Sequence, residues 1–193
     1  MQTRTFPLIL ILLLFASGAR AEFMLDLSGT YLTEKTNSTD VKDDSTKYSY
    51  NVGGYLKFAK KWWAGWSYLG VNMSGTSNAT GSSVPTSFQS SDTGPALKYF
   101  FGKSEVFSLT AVFNVLAKAS YKNVVSDSTE AWMGTSYLVS FGIMPEIKSG
   151  FHMGVALNYY SAAYTKKTVD GTETSEANTK SWLFPTLSLS KSW

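Results

Sequence analysis

From residue 22 onward, apolar side chains recur at every second position, in runs separated by stretches dense in Ser, Thr, Asn, Asp and Gly. A two-residue period places successive side chains on opposite faces of an extended chain, so each run predicts a strand with one oily and one mixed face. Phe107, Leu109, Ala111, Phe113, Val115 and Ala117 point one way, and Ser108, Thr110, Asn114 and Lys118 the other. Tyr50, Val52, Leu56 and Phe58 oppose Ser49, Asn51, Gly53 and Lys57, while Phe23, Leu25, Leu27, Gly29 and Tyr31 oppose Met24, Asp26, Ser28 and Thr30. Tyr137, Val139, Phe141 and Ile143 stand against Ser136, Ser140 and Gly142, and Phe151, Met153, Val155, Leu157 and Tyr159 against His152, Gly154, Ala156 and Asn158. Leu183, Leu187, Leu189 and Trp193 stand against Thr186, Ser188, Ser190 and Ser192. Strands at 62–73 and 94–101 bring the expected number to eight. In the former, Trp66 and Tyr68 compete with Leu69, Val71 and Met73 for the apolar face, and its facing stays open. Pro95 and Pro185 fall inside predicted strands; having no ladder donor, each marks a bulge or a strand end.

The connections alternate in length, which a generic β-sandwich does not require. Tight segments are expected at Lys60-Lys61, Gly102-Lys103-Ser104 and Glu146-Ile147-Lys148-Ser149, and long polar loops at 33–46, 74–91, 120–130 and 166–178. Short turns thus gather on one rim and long loops on the other. Aromatics follow the same division: Phe23, Phe58, Trp62, Trp63, Phe101, Phe107, Phe151 and Trp193 lie near the short turns, and Tyr31, Tyr48, Tyr50, Trp132, Tyr137, Tyr159 and Tyr164 towards the long loops. Helical periodicity is absent throughout.

Ahead of this pattern, Arg4 precedes an apolar run from Phe6 to Ala16 and a stretch of small residues ending Ala19-Arg20-Ala21. That is the three-part layout of a cleavable signal peptide, with cleavage expected after Ala21; the run is too short for a spanning helix, which needs about 20 apolar residues. Removing 21 of 193 residues leaves 172, one domain's worth. With Arg4 and Arg20 gone, 15 lysines face 14 acidic side chains, a net charge of +1 where the full chain carries +3. No basic footprint for nucleic acid remains. The chain has no Cys, which excludes a disulfide framework and any thiolate nucleophile or metal site despite the expected export.

A soluble barrel would carry its apolar face inside, so periodicity alone leaves inside and outside undecided. The mixed face decides it. Asp26, Lys57, Lys98 and Lys118 share that face with Asn51, Asn114, Asn158 and His152, a set that a dry core rejects and a polar barrel lumen accepts. Girdles of aromatics at both rims, with Phe23, Tyr31, Tyr48, Phe101, Phe107, Phe151 and Trp193 as their members, suit two membrane interfaces. Lys191 faces the lipid but stands close enough to the terminus to reach the interface. The chain closes on Leu187-Ser-Leu-Ser-Lys-Ser-Trp193, an alternating strand ending in an aromatic. In this it resembles bacterial outer-membrane β-barrel proteins, and in size the small OmpA- or OmpX-like barrels. The resemblance implies an all-β, eight-stranded antiparallel up-and-down transmembrane barrel over 22–193, located in the outer membrane, with Trp193 read by the barrel-assembly machinery. It implies short turns in the periplasm and long loops outside, and no peptidoglycan-binding domain after Trp193.

Eight strands leave a lumen filled by side chains or able to hold one small ligand. Asp26, with Glu22, is expected to pair with Lys57 or Lys98, and Asn51, Asn114 and Asn158 to complete a plugging network. The alternative is a narrow conduit or a binding barrel for a small molecule, hydrophobic ones included. A lipid-modifying barrel enzyme is a third reading, but the single histidine, His152, lacks a serine two residues on, so no catalytic residue is expected. A soluble secreted barrel is a fourth. The loop 33–47 sets Glu34, Asp40, Asp43 and Asp44 against Lys35, Lys42 and Lys47, a spacing that fits no cation loop; no metal or cofactor is expected. The expected partners are the lipid bilayer and a surface ligand met by the four long loops.

Overall fold

The computed structural model describes residues 22–37, 42–77, 84–123 and 128–193; the segment 1–21 read as a signal peptide lies outside them. The strands are β1 (Phe23–Asn37), β2 (Lys42–Ala59), β3 (Trp62–Ser77), β4 (Val84–Phe101), β5 (Phe107–Asn123), β6 (Ser128–Ile143), β7 (Glu146–Lys148), β8 (Phe151–Val169) and β9 (Thr172–Ser192). Neighbours pair antiparallel in chain order, β6 pairs with β8, and β1 with β9, which closes the ring. The eight long strands form the expected up-and-down barrel. The segment at 146–149, expected as a plain turn, holds the three-residue β7 against the foot of β8, with Ser149 and Gly150 turning the chain.

At the opposite rim the strands run well into the stretches expected as loops. β1 continues to Asn37 and β2 begins at Lys42, β4 begins at Val84, β5 ends at Asn123, and β8 and β9 are joined by Asp170 and Gly171 alone. Above the apolar belt both faces of a strand meet water, so the hydrophobic alternation stops while Thr- and Ser-rich segments keep a ladder going. Asp170 and Gly171 take φ of 49° and 80° between the paired residues Val169 and Thr172. Two central residues at positive φ make the primed turn that matches strand twist, for which Asp-Gly is the favoured pair.

Apolar side chains on the outer face are widely exposed, among them Leu109, Phe113, Leu157, Leu183 and Leu187, and so large a continuous oily surface calls for a bilayer rather than water. At the short-turn rim Phe23 stacks on Trp193, Trp62 on Tyr99, and Phe101 on Phe107; half-buried Phe151 stands at the same rim, paired with Lys191. Nearer the other rim Tyr31 pairs with Tyr48, Tyr50 meets Tyr68, and Tyr137 meets Tyr159. A Cβ on Gly70 would lie 2.5 Å from the Tyr50 ring, so the ring covers the glycine in the wall.

In β3, Trp66 and Tyr68 turn outward and Leu69 and Val71 are buried inside, which settles the strand left open. In β5 the alternation breaks. The ladder to β6 shifts between Asn114 and Ala117 and the ladder to β4 between Val112 and Leu116, and Val115 and Leu116 are both exposed, so the strand bulges here. One extra residue exchanges the faces beyond it: Ala117 and Ala119 point inward and Lys118 outward, the reverse of the expected placing. Pro95 lies opposite this bulge, where the β4–β5 register shifts between Thr93 and Ala96.

Candidate functional site: lumen and seam

The lumen is built in tiers. At the short-turn mouth Lys57 pairs with Glu22 at 2.7 Å and lies over the Trp63 ring; both partners remain accessible to solvent. His152 stands at this mouth against the Phe100 ring, its Nδ1 donating to the Met144 carbonyl oxygen at 3.2 Å. The next tier is closed: the Lys98 ammonium, 2% exposed, lies 2.6 Å from Asp26 Oδ2, while the Ser190 hydroxyl donates to Asp26 Oδ1 at 2.9 Å. This knot spans the barrel, because Lys98 comes from β4 and Asp26 and Ser190 face each other across the β1–β9 closure. A low-dielectric surrounding strengthens the attraction, and the hydroxyl satisfies the second carboxylate oxygen.

A second knot lies higher. Asp92, fully buried, accepts hydrogen bonds from Tyr160 at 2.5 Å and Ser136 at 2.6 Å, and Asn114 donates to Ser136 at 2.8 Å. Asn51 accepts from Ser67, and Asn158 donates to Thr186 at 2.9 Å. Asp92 and Tyr160 stand outside the network expected from the sequence, and Ser136 and Ser190 enter that expectation only as members of the mixed face. Asp92 stands beside a polar run taken for loop, yet counting back from Lys98 in steps of two through Ala96 and Gly94 puts it on the same inner face. Between and above the knots the lumen is more apolar than expected: Tyr55, Leu69, Val71, Phe88, Trp132, Leu138 and Phe184 are buried there. The outermost tier is held partly by Lys167, which lies 3.1 Å from Glu130 and 3.5 Å from Glu176; the Glu130 hydrogen bond raises the lysine's pKa.

The closure itself is incomplete. β1 and β9 pair only from Met24 with Ser192 to Gly29 with Leu187, whereas β1 pairs with β2 over its whole length. The reason can be read from hydrogen-bond direction. Phe23 and Trp193 exchange both amide bonds, and Ser192 donates to Gly150, so odd-numbered residues of β9 address β1 and even-numbered ones β8. The rung above Leu187 would come from residue 185, which is a proline and has no N–H to offer. Pro185 therefore ends the seam on one side while its pairing to Leu157 of β8 continues on the other. Above it lies a cavity of about 470 Å³ whose lining includes Leu32, Val71 and Phe184 from the inner face together with Tyr48 and Leu183 from the outer face.

An oily outer wall, two aromatic girdles and a charged, knotted interior define the class: this is a β-barrel of the bacterial outer-membrane type. No protein-family model matches the sequence, and no curated protein is significantly similar to it. Among solved structures, the chain is similar to Neisserial surface protein A at 12% identity, covering 89% of this chain and 97% of that one with a TM-score of 0.52. It is likewise similar to the outer membrane protein OprG from Pseudomonas aeruginosa at 9% identity, covering 90% and 96%, with a TM-score of 0.51. At such identities the likeness is one of fold.

Proposed function

We propose that the protein is exported by way of residues 1–21 and works as a non-conducting, non-enzymatic outer-membrane barrel that supports the envelope and meets its surroundings through its projecting hairpins. The observation that carries this reading is the Lys98–Asp26–Ser190 knot, which ties β4 to the β1–β9 closure across the lumen, with the Asp92 knot above it. Ions would have to break a buried pair to pass, and breaking such a pair costs about 3–5 kcal/mol. The reading as an enzyme finds no support in the surroundings of His152, whose hydrogen bond goes to a backbone carbonyl and whose ring packs on Phe100, with no hydroxyl nucleophile engaged. Planar-bilayer recording of the purified, refolded barrel is the test. No steady unitary current is expected; reproducible conductance steps from the unmodified protein would refute the plug and favour the conduit.

A further inference from the structure

The cavity above Pro185 belongs neither to the lumen nor to the outer wall. In a closed barrel, inward Leu32, Val71 and Phe184 and outward Leu183 could not line one space, because the wall would stand between them. They do so here because β1 above Gly29 and β9 above Leu187 have no rungs between them. The gap opens at the height of the Tyr31–Tyr48 pair: Leu183, on the lipid-facing side of β9 above the last rung to β1, is 66% exposed. Inward, the floor is aromatic. Trp182 stacks on Tyr160 with ring centres 5.1 Å apart and meets Phe88 edge-on, which separates the cavity from the interior beyond. Lys47, on the inner face of β2 two residues above Ser49, places a cation on the lining.

An apolar, laterally open slot with a cation beside it has the pattern of an amphiphile site, and its volume falls within the roughly 300–1,000 Å³ of small-molecule sites. We propose that this seam cleft binds a single long-chain fatty acid, admitted sideways from the outer leaflet, with the acyl chain against Leu32, Val71 and Phe184 and the carboxylate at Lys47. The inference needs the barrel to stand in a bilayer, as proposed above, but it does not need the lumen to be plugged.

Titrating the detergent-solubilised full-length barrel with 11-(dansylamino)undecanoate, and displacing it with palmitate, tests the site. One bound fluorophore per barrel is expected, displaced by palmitate and much more weakly by hexadecanol, which has the chain without the charge. Val71→Trp should abolish binding by filling the slot. Lys47→Gln should weaken the carboxylate about tenfold, the size of one charged hydrogen bond, and leave hexadecanol unchanged. Each variant is first shown to be folded by its shifted migration in unboiled gels. A folded wild-type barrel that binds no fluorophore, equal displacement by palmitate and hexadecanol, or undiminished binding in folded Val71→Trp would overturn the proposal. Conductance in the bilayer test would sink the plug and leave this result untouched.

Discussion

Lys98 and Asp26 show what a single pair does in this wall. Both side chains are removed from water, so each depends on the other for its charge to be tolerated. Lys98→Met is expected to cost about 3–5 kcal/mol by leaving Asp26 buried beside Ser190 alone, and the double variant Lys98→Met/Asp26→Leu to cost less than the sum of the single changes. Urea unfolding in lipid vesicles measures both; a loss below about 1 kcal/mol for Lys98→Met would mean that the pair does not hold the barrel. Lys57 and Glu22 form a pair nearly as short at the open mouth, where water competes, and little stability is expected from it.

At the scale of the element, Pro185 sets the height of the seam. Pro185→Val restores an N–H pointing towards β1, and the ladder is then expected to climb past Gly29, slowing amide hydrogen exchange at Tyr31 and Leu183. Unchanged exchange at both would show that another feature keeps the strands apart. The same scale explains what the sequence made legible. Where one face of a belt-crossing strand is plainly the oilier, alternation names it, as it does for Phe23 to Tyr31 and for Phe151 to Tyr159, while β3, apolar on both faces, stays open. Alternation fails at the Val115-Leu116 bulge, because one inserted residue exchanges the faces without altering composition, so Lys118, expected inside, faces out. It fails again above the belt, where no hydrophobic contrast remains to be counted. There the Asp170-Gly171 turn is a readable signal inside the polar stretch 166–178. Of the lumen, parity put Asp26, Lys57 and Lys98 on one face and left open which lysine meets Asp26; the structure brings Lys98 to it and Lys57 to Glu22. The Asp92 knot was hidden by the polar run beside it, and the open seam depends on which neighbour a proline nitrogen faces, a fact of three-dimensional register.

For the whole molecule, closure of the ring dominates. Every long strand is paired on both sides through the belt, so detergent at room temperature has no edge there from which to peel the sheet. The folded protein is expected to migrate differently from its boiled form in detergent gels, and in an envelope fraction rather than a soluble one; identical migration, or a soluble band, would reverse the inside-outside assignment. The hairpins carry a further consequence. β9 runs for 21 residues, about twice the 9–11 that a tilted strand needs to cross the bilayer. What projects is therefore pleated sheet rather than loose chain, and beyond the buried Phe88 and Trp132 its two wet faces place almost no demand on residue identity, since neither packs a core. One part of each strand is bound to its sequence by lipid and lumen. The other can accept a great many substitutions and keep its shape, which gives a lineage a surface that it can alter freely while the anchor beneath stays the same.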